Sequence, residues 1–410
     1  MKTVTHRRAI YRLVSVAALS ISIAAACSDS STGPAFLAGP DFEDPARVAP
    51  APGEPLASIV WNELAQSMSV KHRPTQQGAF RTFAYMSLAQ HAAVEAAVAE
   101  KGATRATVRG AVAGASAPVL AYAYAADAAN FEAAVRAEEA TIAQDQRAAF
   151  QAGEALGRAV AAKVVARAQG DRFTTAWTGT VPAGPDKWFS SAAPPAPPLL
   201  PMLGQMQPFF MRSGDQFRPV TPPAAGSQAF VTDLQEVRRI SDTRTFAQDS
   251  IAKFWALGTG TLVAGFWNTH AAKLIVNAGL GERAAAHTFA LINAAGMDAL
   301  ISSAEAKFTY WLLRPSQADP QIKLAIGLPN FPAYPSNHAA VSGAVAYVLG
   351  TLIPAERVRL ETMAEDAAVS RIYGGIHYRF DATAGLGIAR EVTRLALNVD
   401  RRGGLLALAR

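Results

Sequence analysis

Apolar residues recur at helical spacing along most of the chain, and the alternation typical of strands is almost absent. The periodicity predicts four helices in the first half, at 59–69, 78–100, 119–134 and 140–168. Residues 178–224 hold 11 of the 25 prolines, which indicates a long irregular excursion without a core of its own. Helical pattern resumes near Asp233 and continues to Val399. We therefore expect an all-α fold, a large helical bundle with one Pro-rich excursion.

Two later windows are apolar enough to be compared with membrane spans. The first, 251–276, contains Lys253 and Lys273, and the second, 339–353, has about 15 residues. A spanning helix needs about 20 predominantly apolar residues, so both windows favour buried core helices.

The first 26 residues predict an export signal. Four basic residues and no acidic one precede an apolar run that ends in Ile23-Ala24-Ala25-Ala26-Cys27. This ending resembles a bacterial lipoprotein cleavage box, in which the thiol takes up a diacylglycerol; the alternative is an ordinary signal peptide with an incidental cysteine. Residues 27–57 are rich in Ser, Thr, Gly and Pro and predict a flexible tether. We expect one helical domain over 58–410, exported to the cell envelope and held on a membrane, on its periplasmic or surface side, through Cys27.

Charge and cysteine content exclude several classes of function. The formal charge is +6, but removal of the signal takes four of the 38 basic residues and leaves 34 against 32 acidic ones. No cluster of Lys and Arg interleaved with aromatics remains, so nucleic acid is not an expected partner. Because Cys27 is the only cysteine, the sequence also excludes a disulfide framework, a Cys-ligated zinc site and an iron–sulfur cluster.

A basic pair stands in the segment 307–315. Lys307 and Arg314 are seven residues apart, which on a helix would place both cations on one side. Pro315 disfavours helix at Arg314, so its guanidinium is expected at a helix end. A solvated basic face is the alternative interpretation of this pair alone.

A rigid turn follows at 331–338, and it leads into an apolar helix that begins near residue 339. The turn carries Ser336, Asn337 and His338, which places a hydroxyl, backbone N–H groups and an imidazole at a helix N-terminus, where anions are favoured. A plain N-cap is the alternative interpretation.

The third segment, 370–381, contains Arg371, the pair Gly374 and Gly375, His377 and Asp381. The glycines are expected to break a helix that begins near residue 354 and to let backbone approach a ligand. Asp381 can accept from one imidazole nitrogen of His377 and leave the other free. Taken with the other two segments, these residues predict a site for a tetrahedral or trigonal-bipyramidal oxyanion.

The three segments resemble the signature motifs of the type 2 phosphatidic acid phosphatase and vanadium haloperoxidase superfamily. They read K-x6-R-P at 307–315, P-S-x-H at 335–338 and S-R-x5-H-x3-D at 370–381. Residues 81–97, 184–188, 254–255 and 294–314 are also similar to its bacterial haloperoxidase-like branch. The resemblance implies the helical bundle of that superfamily and covers most of the chain from about residue 59.

The resemblance also implies roles for the site residues. Lys307, Arg314 and Arg371 would bind the oxyanion together with the Ser336 hydroxyl and the Asn337 backbone N–H, with Lys307 also polarising the bound oxidant. His377 would be the apical vanadium ligand, or the nucleophile of a phosphatase. His338 would be the acid and base, and Asp381 would orient His377. The family usually has Gly where this chain has Asn337, a residue that tolerates positive φ.

Two enzymatic functions follow from the resemblance, and a third interpretation is not enzymatic. The first is a vanadate-dependent haloperoxidase that uses hydrogen peroxide to oxidise halide, with Phe331 as a candidate residue of the halide pocket. The second is an exported acid phosphatase that acts through a phosphohistidine and needs no metal. The third is a lipoprotein that binds phosphate or vanadate without turnover.

Overall fold

The computed structural model describes residues 53–257 and 261–409. The predicted signal peptide, Cys27 and most of the predicted tether lie outside these residues. The described residues form helices, and their one β-bridge pairs Lys187 with Leu312. The prediction of an all-α fold is confirmed.

The α-helices follow one another along the chain, with short 3₁₀ turns between some of them. They are α1 Ala57–His72, α2 Gln76–Ala99, α3 Arg105–Ala123, α4 Ala128–Ala140, α5 Arg147–Gly170, α6 Gln228–Thr243, α7 Phe246–Ala256, α8 Leu262–Asn277, α9 Glu282–Tyr310, α10 Pro315–Ala318, α11 Asn337–Leu352, α12 Arg357–Tyr373, α13 Arg379–Asp400 and α14 Gly404–Ala407.

The predicted helices at 119–134 and 140–168 are wrong in their boundaries. The chain forms α3, a 3₁₀ turn at Ala125–Asp127, α4 and α5 instead. Helix α3 begins at a reciprocal cap between Thr104 and Thr107. Alanine is apolar on every face of a helix, so the periodicity of this Ala-rich stretch did not show where one helix ends and the next begins.

Helix α9 forms the centre of the domain. It packs against α2, α11 and α13, and most of its residues from Ala285 to Lys307 are buried. Among the described residues it is the one helix long and apolar enough to cross a membrane, but 89% of its apolar window is buried inside the protein. Packing within the bundle therefore explains its hydropathy.

The most extensive helix contact joins α3 and α5, and glycines on both helices allow it. A Cβ at Gly110 would lie 2.0 Å from the Phe150 carbonyl oxygen, and one at Gly157 would lie 2.1 Å from that of Ala111. These backbones touch directly, so neither position has room for a side chain.

The Pro-rich excursion is irregular, as predicted, and its backbone is fixed to α9. The buried carboxylate of Asp298 accepts hydrogen bonds from the backbone N–H groups of Phe209, Phe210 and Met211, at 2.7–3.0 Å. Further along, the hydroxyl of Tyr310 donates to the Pro219 carbonyl at 2.8 Å. The excursion thus packs as part of the helical domain.

Packed structure extends into the last residues of the predicted tether. Glu54 forms ion pairs with Arg105 and Arg109, and Leu56 and Ala57 are buried. Helix α1 begins at Ala57, whose backbone N–H donates to the Glu282 carboxylate at 2.6 Å. Residues 54–57 therefore lie against the helical domain.

Candidate oxyanion site

Lys307 lies in the last turn of α9 and is 1% exposed. Its ammonium donates to the carbonyl oxygens of Pro332 and Ala333, at 3.1 and 2.7 Å, and to that of Pro335. These carbonyls belong to the turn that carries Ser336, so Lys307 fixes this turn against the end of α9. Burial, followed by the positive charge of Arg314, lowers the pKa of Lys307 well below 10.5.

Arg314 lies beyond the end of α9, so the prediction that it stands above Lys307 on one helix is wrong. The helix ends at Tyr310 because Trp311 adopts a left-handed conformation, φ 55°. Arg314 is extended before Pro315, as the proline predicts. Its Nε donates to the Phe331 carbonyl at 3.0 Å and its Nη1 to the Ile376 carbonyl at 2.8 Å. Lys307 and Arg314 still meet, because both cations lie about 5 Å from the centre of the Phe331 ring.

Ser336, Asn337 and His338 begin helix α11. Ser336 is its N-cap, with Oγ accepting from the Ala339 backbone N–H at 3.4 Å. Asn337 is the first helical residue and does not have positive φ, so its tolerance for that conformation is not needed here. Nε2 of His338 lies 3.1 Å from the carbonyl oxygen of Trp255, at the end of α7. Burial, then the charge of Arg371, lowers the pKa of His338 well below 6.5.

Arg371 is buried near the end of α12. Its Nε donates to the Ser370 hydroxyl at 2.9 Å, and its Nη2 donates to the Ala252 carbonyl on α7 at 2.8 Å. Helix α7 therefore supplies backbone acceptors for both Arg371 and His338. Burial lowers the pKa of Arg371.

His377 lies in the turn between α12 and α13. The helix before it ends where Gly375 adopts φ 79°, as the glycine pair predicts. Nδ1 of His377 lies 2.7 Å from Oδ2 of Asp381, and Nε2 lies 3.1 Å from Nη1 of Arg314. Because a guanidinium can only donate, Nε2 must be the acceptor and the ring proton must be on Nδ1. His377 is thus neutral, with the lone pair of Nε2 directed at Arg314.

The charges of the site are unbalanced. Three buried cations, Lys307, Arg314 and Arg371, accompany one buried carboxylate, Asp381. Burial, then the charges of Arg314 and Lys307, lowers the pKa of His377 well below 6.5, and burial raises the pKa of Asp381 to about 7. Nη2 of Arg314 is enclosed and has no hydrogen-bond partner among the described residues. An excess of buried positive charge with an unused guanidinium N–H fits an oxyanion.

The structure thus brings together all the predicted residues of the three motifs. Phe331 lies beside them, with its ring centre about 5 Å from both Lys307 and Arg314, and Cys27 lies outside the described residues. In the part of the chain that is described, no three His, Cys, Asp or Glu side chains cluster in a way that could hold a metal ion. Oxyanion binding by cations and a single imidazole does not require such a cluster.

The sequence did not reveal several contacts that hold the site together. The carbonyls of Ala252, Trp255, Pro332 and Ala333 take part through backbone atoms, which no residue type signals. The Ser303 hydroxyl donates to Oδ1 of Asn337 at 2.7 Å. Its position one helical turn before Lys307 could have indicated that Ser303 lies near the site.

Comparison with known families agrees with this arrangement. Residues 286–402 match the PAP2 superfamily. The matched segment includes most of α9 and all of α10 to α13, and therefore all three motifs. A search of curated proteins gave no match.

The similarity to solved structures extends well beyond residues 286–402. A bacterial vanadium-dependent iodoperoxidase superposes with a TM-score of 0.71 and 23% sequence identity, over 83% of this chain and 95% of the other. A bacterial vanadium-dependent chloroperoxidase superposes with a TM-score of 0.64 and 12% identity, over 80% and 94% in its apo form and 90% and 97% in its holo form. The chain thus has the fold of these haloperoxidases along nearly its whole described length.

Proposed function

We propose that the protein is a vanadate-dependent haloperoxidase, which oxidises halide with hydrogen peroxide to a hypohalous-acid equivalent. The observation that carries this proposal is the neutral His377, whose Nε2 lone pair lies among three buried cations. The similarity to haloperoxidases over 80% or more of the chain supports it, because the PAP2 match alone covers only residues 286–402.

The residues of the site fit vanadate as a cofactor. Nε2 of His377 would be its protein ligand, and the cations, the Ser336 hydroxyl and the Asn337 N–H would bind its oxygens. Bound vanadate would supply a Lewis acid that activates peroxide toward halide without a change of metal oxidation state.

The chain's own groups prepare the site for this chemistry. Asp381 holds the Nδ1 proton of His377, so that Nε2 remains an acceptor. His338, fixed by the Trp255 carbonyl and kept neutral by burial, is placed to accept or deliver a proton. Lys307 and Arg314 pack on the Phe331 ring, which makes Phe331 the candidate residue that contacts halide.

A PAP2-type acid phosphatase is the second candidate, and the match of residues 286–402 favours it. The same residues would let Nε2 of His377 attack phosphorus as the bond to the leaving oxygen breaks, and His338, neutral in the free site, would have to take up a proton before delivering it to that oxygen. The two functions use one set of residues, so only an assay separates them.

The test uses the purified mature protein in two parallel assays. One follows halogenation of an acceptor with vanadate, peroxide and iodide, bromide or chloride, and the other follows phosphate release from a phosphomonoester. We expect halogenation that requires vanadate, is abolished in His377→Ala and survives in His287→Ala, which alters a histidine paired with Asp400 outside the site. Phosphate release without halogenation after vanadate loading would instead establish the phosphatase.

We also propose that the protein is exported and held on a membrane by a lipid on Cys27. The signal-like segment and the lipoprotein-like ending at Cys27 support this proposal. The variant Cys27→Ala should move the protein from the membrane fraction to the soluble fraction. Membrane association that persists in this variant would contradict the lipid anchor.

A further inference from the structure

Asn337 differs from the glycine usual at this place in the resembled motif, and its side chain has a defined partner. It lies between Ser336 and His338 at the start of α11 and is 6% exposed. The hydroxyl of Ser303, which is fully buried, donates to its Oδ1 at 2.7 Å. Ser303 precedes Lys307 by one turn of α9, so one helix positions both the cation and the amide.

This hydrogen bond determines what the amide can still do. With Oδ1 occupied as acceptor, the remaining polar atom is Nδ2, which carries two N–H donors. No described residue accepts a hydrogen bond from Nδ2. Nδ2 is therefore an unused donor, although it is not fully enclosed as Nη2 of Arg314 is.

We propose that the side-chain amide of Asn337, oriented by Ser303, is an additional donor to the oxyanion. In a chain with glycine at this position the oxyanion has only the backbone N–H, whereas here it also has Nδ2. The inference rests on the oxyanion site of the proposed function, and it does not depend on whether the bound anion serves halide oxidation. Ser303 is a positioning residue, because it acts through Asn337.

The test measures dissociation constants of the full mature chain for vanadate and for inorganic phosphate by calorimetry. A hydrogen bond to a charged group predicts that Asn337→Gly weakens binding of both by about tenfold or more. Ser303→Ala should weaken binding less. It should have no further effect in the Asn337→Gly background, because both changes remove the same contact.

A matched control is the neighbouring serine on α9. Ser302 is also fully buried, and its Oγ has no described partner, so Ser302→Ala should leave both affinities unchanged. If Asn337→Gly does not fold, Asn337→Ala removes the same amide and keeps a Cβ.

Two results would overturn the inference. One is unchanged or tighter binding in Asn337→Gly, as expected if the amide only narrows the site. The other is a lower melting temperature in Ser303→Ala with unchanged affinity, which would make the serine purely structural. Wild-type protein that binds vanadate but oxidises no halide would contradict the proposed function and leave this inference intact.

Discussion

Nδ1 of His377 donates to Oδ2 of Asp381 across 2.7 Å, and both side chains are buried. The same carboxylate oxygen accepts from the Tyr378 backbone N–H at 3.1 Å, so it is fixed at the start of α13. This pair determines which imidazole nitrogen carries the proton and which one keeps its lone pair. Any reaction at Nε2 therefore depends on Asp381 as an orienting group.

We predict that Asp381→Asn weakens vanadate binding by about 10 to 100-fold, the usual effect of losing an orienting partner. An asparagine amide can donate to Nδ1, which would move the ring proton to Nε2 and remove the lone pair that binds the anion. The measurement is the vanadate dissociation constant, together with the nitrogen chemical shifts of the His377 ring.

The chain offers a matched control in His287 and Asp400, which pair at 2.9 Å outside the site. Asp400→Asn should leave vanadate affinity unchanged. An equal loss in both variants would show a general stability effect instead of control of the tautomer.

A second prediction concerns the support of Arg371. Its Nε donates to Ser370 Oγ, so Ser370→Ala leaves a buried guanidinium N–H without its partner. We expect the free energy of unfolding to fall by about 1–3 kcal/mol and oxyanion affinity to fall severalfold. Denaturant titration and calorimetry measure the two effects.

Ser116 is the matched control for this change. It is fully buried, donates to the Val112 carbonyl and accepts from Gln90, far from the three motifs in sequence and on a different helix. Ser116→Ala should lower stability in the same way but leave oxyanion affinity unchanged. Loss of affinity in Ser116→Ala would contradict a specific role for Ser370.

A third prediction concerns pH. Burial and Arg314 lower the pKa of Lys307 in the anion-free site, and a bound anion would raise it again because it favours the ammonium form. At a pH above that lowered pKa, the complex holds a proton that the free protein has lost. By linkage, oxyanion affinity should fall as pH rises through the lowered pKa of Lys307 toward 10.5, by up to about tenfold per pH unit for one proton.

Sulfate is a suitable probe, since its charge does not change over this range. Calorimetry in buffers of different ionisation enthalpy should detect the proton taken up on binding. Lys307→Arg keeps its charge at every pH tested, so the dependence should disappear in that variant. Proton uptake that persists in Lys307→Arg would assign it to another group.

The sequence was sufficient to predict the all-α class and the residues that meet at the site. The charged, hydroxyl and imidazole side chains of the site all belong to three short motifs that can be recognised in the sequence. The prediction from sequence was wrong about the relative placement of two site residues, because that placement depends on where a helix ends. Lys307 and Arg314 were expected on one helix, but the left-handed Trp311 ends α9 between them. The two cations still meet through Phe331 and the turn after it.

Contacts made by backbone atoms could not be predicted from the sequence, for a different reason. Helix α7 holds Arg371 and His338 through carbonyls of Ala252 and Trp255, more than 80 residues away along the chain. Every residue has such a carbonyl, so only the three-dimensional packing shows which ones contact the site. The helix boundaries in the Ala-rich stretch before α5 could not be predicted for a related reason, because alanine residues do not distinguish a buried face of a helix from an exposed one.

The last prediction concerns the carboxylate that fixes the Pro-rich excursion. Asp298 accepts from three buried backbone N–H groups, and burial raises its pKa to about 6. Each N–H left without an acceptor costs about 1–3 kcal/mol, so Asp298→Ala should destabilise the protein by several kcal/mol. Because the lost contacts all lie on residues 209–211, hydrogen exchange should accelerate there first. Asp215, an exposed acidic residue of the same excursion whose carboxylate accepts from the nearby Ser213 hydroxyl, provides the control. Asp215→Ala should change neither property, and equal exchange rates at 209–211 in the two variants would show that Asp298 does not hold this segment.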